Sequence, residues 1–307
     1  MADANTIVWT TDWHLVATDS EQGGLGWTTP TRAQQVVSHI VSTYDPIGCI
    51  DTGDNKDIMG GGTQGAAYDN YINLVQQGLP WLTVNAGDTN ALYPNLPGNH
   101  DEATDYTVPG PANDFSTTFD PNFWGEPYHW TADWHAPRIR FIAFHSYIYH
   151  TTAYPNFAGF GVCPDTERAW LENELATLPE RWQAIVCSHF PVPDVFGNNI
   201  HSSTGGTALR AVLAAYDDKI VACFSGHRHF NYNTALLNNI LHITTGGVSY
   251  GLGNGRGTFS PITYNPANRT ITLDCRLARV DSGYARFPGF TPLTLQLQPH
   301  RLFFART

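Results

Sequence analysis

The chain has 307 residues, 42% of them hydrophobic, and 27 acidic against 16 basic side chains, a formal net charge of −11. That length affords one large core or two small ones, and no apolar run reaches the roughly 20 residues of a membrane-spanning helix. A soluble globular protein without membrane contact is expected, and the acidic balance argues against a groove that tracks a nucleic-acid backbone. The opening Met1-Ala2-Asp3-Ala4-Asn5 has no basic region or apolar run of a leader, so a cytoplasmic location is the default expectation. Lys56 and Lys219 are the only lysines. The five cysteines (Cys49, Cys163, Cys187, Cys223, Cys275) form no CxxC, which speaks against a structural zinc site or a redox motif. Cys49, Cys187 and Cys223 lie in apolar strand-like runs, where a thiol acts as a small hydrophobe. A Cys163–Cys275 pairing stays open.

In chain order, residues 6–11 form a β-branched apolar run, a first strand. Thr29 as N-cap and Pro30 in the first turn open a helix through Tyr44, with Val36, Val37, Ile40 and Val41 on its apolar face. Residues 47–50 read as a second strand that delivers Asp51-Thr52-Gly53-Asp54, residues 68–77 as a helix, and residues 81–84 as a strand. From 101 to 164 the composition shifts to Pro, Asn, Thr and aromatics, with one strand-like run at 139–144. This segment is expected to be a cap or insertion within a single domain spanning 1–307. Alternation then resumes with a helix at 165–178, a strand at 184–187, a helix at 207–216 and a strand at 220–224. A hairpin follows, with Asn265-Pro266-Ala267-Asn268 as its turn. Strands alternating with helices predict an α/β architecture with parallel pairing and a site at the strands' carboxyl ends.

Five short strings fall at those ends: Asp12-Trp13-His14, Gly53-Asp54-Asn55, Gly98-Asn99-His100-Asp101, Ser188-His189-Phe190-Pro191 and Gly226-His227-Arg228-His229. Asp12 and His14 are two apart on what reads as an extended segment, so both side chains leave one face. His227 and His229 repeat that spacing. Oxygen and imidazole donors suit Mn, Fe, Zn or Co better than soft copper(I), and two Asp, one Asn and four His suffice for a pair of ions sharing one carboxylate. Any one string is a common turn sequence; five in this order at strand ends are not. Ala86-Gly87-Asp88 imitates the second string, but Asp54 follows the better strand. His145 and the remaining histidines are expected to pack or meet solvent, and Arg228 to form a salt bridge with the acidic surface rather than contact a substrate phosphate.

Together the strings resemble the calcineurin-like metallophosphoesterase family, whose pattern DxH, GD, GNHD, HxP and GHxH they follow in order over most of the chain. The resemblance implies a four-layer αββα sandwich and a dinuclear centre of two divalent or mixed-valence ions (Mn, Fe or Zn). By position, Asp12, His14 and His229 would hold one ion, and Asn99, His189 and His227 the other, with Asp54 as the bridge. His100 would protonate or electrostatically stabilise the leaving oxygen, oriented by Asp101. Two close cations clamp a phosphoryl group and generate a bridging hydroxide near neutral pH, so no Ser or Cys nucleophile is required.

The Asp12-Trp13-His14-Leu15 and Gly98-Asn99-His100-Asp101 strings are similar to class III cyclic-nucleotide phosphodiesterases, which implies hydrolysis of small-molecule phosphodiesters. Purple acid phosphatases fit less well, because His14 and Asp57 stand where their pattern has Gly and Tyr. A phosphomonoesterase acting on nucleotides or sugar phosphates is the nearest alternative. A binding module of the same fold without activity is more remote, since no ligand position of the pattern is missing.

Overall fold

The computed structural model describes residues 5–19, 28–56, 64–85, 93–98, 101, 129–146, 161–197, 199–200, 205–229, 232–249, 257–278 and 283–297. Strand β1 (Thr6–Thr10) pairs in parallel with β2 (Gly48–Asp51) after the crossover helix α1 (Pro30–Tyr44). Thr29 caps α1 as expected: its hydroxyl accepts the Arg32 amide at 3.3 Å, and Pro30 follows it. Helix α2 (Gln64–Asn70) runs on into a π-helical stretch, Tyr71–Gln76.

The first sheet orders as β12-β10-β9-β1-β2: β9 (Thr258–Asn265) is antiparallel to β1, β10 (Thr270–Leu273) to β9 and β12 (Leu293–Gln296) to β10, with the short β11 (Arg276–Leu277) antiparallel on β9. The second sheet orders as β3-β4-β5-β6-β8-β7. Its centre is parallel: β4 (Ile139–Ala143), β5 (Gln183–Ser188), β6 (Ile220–Ser225) and β8 (Ile240–Thr244). Antiparallel β3 (Trp130–Trp134) and β7 (Asn233–Leu237) close its two edges. Both sheets are therefore mixed, not purely parallel.

Strand alternation builds the layers. Ile7, Trp9 and Ile50 from the first sheet meet Phe141, Ile185, Phe224 and Ile243 from the second in one buried core between the sheets. The opposite faces serve the helices. Val8 and Cys49 pack with Val36, Ile40 and Val75, while Ile142 and Val186 pack with Leu171, Leu175, Leu209 and Leu213 of α3 (Asp165–Thr177) and α4 (Gly206–Ala215). This is the αββα sandwich. The most direct tie between the sheets is the stack of Trp9 on Phe224, with centroids 4.4 Å apart and planes 7° apart.

Two expectations change. Residues 81–84 form no strand. Leu82 donates its amide to Cys49, at the edge of the first sheet, while Val84 makes a single bridge to Ala132 of the second. A segment divided between two sheets cannot build a ladder on either. Within 101–164, residues 129–146 are no cap: β3 and β4 are core strands, and Trp130 and Trp134 are buried between the sheets. Residues 102–128 and 147–160 of that segment lie outside the described residues, as do Asp88 and the glycine-rich runs at 60–62 and 251–255. All five cysteines are free and buried, so the open Cys163–Cys275 pairing is not made. No helix among the described residues is long and apolar enough to cross a membrane.

Phe224→Ala should lower stability by about 3–5 kcal/mol, the usual cost of a large aromatic lost from a core. A shift of the denaturant midpoint worth less than about 1 kcal/mol would show that the inter-sheet stack is not a main tie.

Candidate metal centre

The centre sits where β1 and β2 of one sheet and β5, β6 and β8 of the other reach their carboxyl ends. Beyond Thr10 the chain does not stay extended: Asp12 has φ 50° and His14 φ 42°. The expected common face is present, but left-handed turns on either side of Trp13 produce it. They aim Asp12 and His14 into the centre while the Trp13 ring packs among the helix-side core residues. Asp54 (φ 57°), His227 (φ 68°) and His229 (φ 46°) share this conformation. A non-glycine residue there costs roughly 1–2 kcal/mol, and such strain persists only where surrounding structure enforces it. Here the enforcement is visible. Asp12 N–H donates to Gly53 O at 2.7 Å, His14 N–H to Asp54 O at 2.9 Å, and Leu15 N–H to Asn55 O at 3.1 Å, so the first two loops run side by side.

Six donors converge. Asp12 Oδ1 lies 2.9 Å from His229 Nε2 and 3.8 Å from His14 Nε2, and those two imidazole nitrogens are 2.8 Å apart. Asp54 Oδ2 lies 3.5 Å from His14 Nε2 and 3.1 Å from His189 Nε2. Two sets follow, Asp12-His14-Asp54-His229 and Asp54-His189-His227, each with its ligand atoms within 4.8 Å of one another. Nitrogen and oxygen donors at such separations fit the shell of a divalent ion with bonds of about 2.0–2.2 Å. Asp54 belongs to both sets, as a bridge must.

The donors are also aimed. His189 Nδ1 lies 2.8 Å from Thr52 O, which assigns a proton to that nitrogen and makes Nε2, facing Asp54, the nitrogen that would ligate. The Thr11 hydroxyl donates to Asp12 Oδ2 at 2.7 Å, and the His227 amide to both Asp12 oxygens at 3.0 and 3.1 Å. Gly98 closes over the bridge, for a Cβ there would collide with Asp54 Oδ1. Gly247, in the turn after β8, does the same behind Asp12, whose Cβ a side chain at that position would strike.

Charge is distributed unevenly. Burial alone would raise the Asp12 carboxyl, but His229 and His14 hold it well below the usual carboxylate range. Burial would likewise lower His189, yet the facing Asp54 carboxylate raises it to about 9. Burial and the neighbouring His189 push His227 well down. Asp101 is raised to about 6 by burial and by Asp54.

The structure brings Asp12, His14, Asp54, His189, His227 and His229 close together, whereas Asn99 and His100 lie outside the described residues. The Asp101 carboxylate accepts from the backbone amides of Gly98, Asn55 and Lys56 at 2.8–3.2 Å and clasps two loops together. His145 is buried, with its amide donating to Glu167 at 3.3 Å. The Arg228 guanidinium lies against Gly197. Sequence reasoning passed over Thr11, Asp51, Thr52 and Gly247. The nearest signal for the last was Thr244-Thr245-Gly246-Gly247 directly after a strand.

Residues 6–231 match the family model for the calcineurin-like phosphoesterases. The chain belongs to that family. Its fold superposes on a dimetal phosphatase from Danio rerio with a TM-score of 0.64 at 13% identity, covering 96% of this chain and 100% of that one. A protein from Thermus thermophilus gives a TM-score of 0.46 at 11% identity over 90% of this chain and 100% of that one. Phosphopantetheinyl hydrolase from Mycobacterium tuberculosis gives 0.42 at 12% identity over 80% and 91%. No curated protein matches the chain in sequence.

With His189 raised to about 9, its imidazole is protonated at neutral pH in the metal-free protein, and a cation at Nε2 must displace that proton. Affinity for Mn²⁺ should therefore rise with pH until about 9, with proton release at pH 7. Calorimetry in buffers of different ionisation enthalpy measures this release; pH-independent affinity without it would contradict the assignment.

Proposed function

We propose that the chain hydrolyses phosphoesters with two bound divalent ions and prefers small-molecule phosphodiesters. The observation that carries this reading is the pair of donor sets sharing Asp54. Asp12, His14 and His229 would hold one ion, His189 and His227 together with Asn99 the other, with Asp54 contributing to both sets. When bound, such ions supply Lewis acidity toward the phosphoryl oxygens and bring the pKa of water toward neutrality.

The protein's own groups do the rest. Thr11, Thr52 and the His227 amide fix the orientation of Asp12 and His189, which keeps the donors in place without rearrangement. His100 donates a proton to the leaving oxygen. It stands in sequence between Gly98 and Asp101, which are hydrogen-bonded to each other in both directions at 2.8 and 3.1 Å. The preference for diesters is supported by the Asp12-Trp13-His14-Leu15 and Gly98-Asn99-His100-Asp101 strings. It is also supported by charge: a monoester approaches two negative charges at pH 7, a diester carries one. The described cations beside the ligands are Lys56, buried next to Asp101, and Arg228.

Protein loaded with Mn²⁺ should hydrolyse bis-p-nitrophenyl phosphate faster than p-nitrophenyl phosphate. A much faster monoester rate overturns the diester preference, and hydrolysis of neither by metal-loaded protein overturns the hydrolase reading. His100→Ala should slow esters with poor leaving groups far more than activated aryl esters, because only the former need the proton. Equal losses on both would remove the acid role.

A further inference from the structure

We infer that Asp51 is a positioning residue for the metal centre, whose buried carboxylate ties the loop of Asp12 and His14 to the loop of Asp54 and thereby sets the position held by Asp12, His14 and His229. The inference rests on the dimetal reading above. Asp51 closes β2, three residues before Asp54, and is fully buried. Its Oδ2 accepts from the Thr10 hydroxyl at 2.7 Å and from the Trp13 indole N–H at 3.0 Å, and its Oδ1 accepts from the Gly53 amide at 2.8 Å. The three donors come from the end of β1, from the residue between Asp12 and His14, and from the residue before Asp54. One short carboxylate therefore joins both ligand loops to the strand that launches the first.

The arrangement is costly as packing alone. A carboxylate without solvent is destabilising unless its lone pairs are engaged, and the carboxylates of Asp12 and Asp101 add repulsion. An apolar residue would suit this strand position better. What Asp51 provides is control of rotation. Backbone hydrogen bonds fix the separation of the two loops, but Trp13 is the one side chain between the left-handed ligands Asp12 and His14. Its ring is fully buried, and the bond from its N–H to Asp51 sets the angle at which the turn leaves the core. Any rotation of that indole moves both flanking ligands. His189 and His227 come from the other sheet and meet these loops through Thr52 O and the Asp12 carboxylate, not through the indole.

Asp51→Asn tests this directly, since the amide keeps one acceptor but turns a donor toward either the Gly53 amide or the Trp13 N–H. Binding of Mn²⁺ is followed by calorimetry and low-temperature EPR, alongside Tm and steady-state kinetics on the aryl diester. The expected result is an affinity loss of about 10- to 100-fold, the range for partners that orient ligands, for one of the two ions, with a clearly smaller loss for the other. Excess Mn²⁺ should restore kcat with KM little changed. Trp13→Phe keeps an aromatic ring without the N–H and should shift the same ion in the same direction, less far; it decides alone if Asp51→Asn does not fold. Wild-type affinity for both ions in the variants overturns the inference, as does equal weakening of both in step with a fall in Tm. If wild-type protein itself takes up no ion pair, the dimetal reading fails and the inference falls with it.

Discussion

One oxygen of Asp54 stands between two imidazoles that belong to different sheets. His14 follows β1 of the first sheet and His189 follows β5 of the second, yet both Nε2 atoms lie within 3.5 Å of Asp54 Oδ2. A bridge of that kind tolerates little sliding of one sheet over the other, since a displacement of an ångström would separate the two donor sets. The fold meets this demand directly beneath the centre. Trp9 stacks on Phe224 three residues before Asp12 and three before His227, and the Trp9 indole N–H donates to the Thr52 hydroxyl at 3.0 Å. Interiors packed at crystal-like density resist shear, so the ring pair transmits the registry of the core to the ligands.

The second demand is conformational. Five of the six described ligand candidates occupy left-handed backbone, which no local propensity of Asp or His secures over three separate turns. The donor side chains are ordered by contacts from elsewhere: Thr52 O orients His189, the His227 amide braces Asp12, and Gly247 leaves room behind it. The strain is stored in the turns and offset by the two sheets that hold them. This explains why the ligands sit just past strands, where the ladders end but their rigidity still reaches.

How far sequence reveals such a site depends on which of these demands is local. The clustering of Asp12, His14, Asp54, His189, His227 and His229 was legible because donor chemistry restricts such residues to few types and the βα alternation places them at strand ends. Helix α1 was legible because Thr29 and Pro30 act within one turn. The left-handed geometry of Asp12 and His14 was not, although the shared face was anticipated, because hydrogen bonds to residues 53–55 produce it. Strand β3 was hidden in Trp130-Thr131-Ala132-Asp133-Trp134, whose aromatic ends resemble the insertion around them; only pairing with β4 shows that both rings face the core. Residues 81–84 carry a strand composition and lack a continuous partner. In each case the missing information is the identity of a neighbour distant in sequence.

The same distinction separates the buried carboxylates by role. Asp12, Asp51, Asp54 and Asp101 are all nearly inaccessible and lie within a few residues of the centre. Asp12 faces imidazoles and is held ionised, whereas Asp51 and Asp101 face backbone amides, a hydroxyl and an indole, and burial raises both. Ligand carboxylates must present charge to a cation, so the environment that keeps them charged is supplied by the other ligands. The two remaining carboxylates need only accept hydrogen bonds, and the donors they face offset the cost of burying them. A net charge of −11 can therefore coexist with a dense acidic interior, because imidazoles face the carboxylates of Asp12 and Asp54 while amides, a hydroxyl and an indole engage those of Asp51 and Asp101.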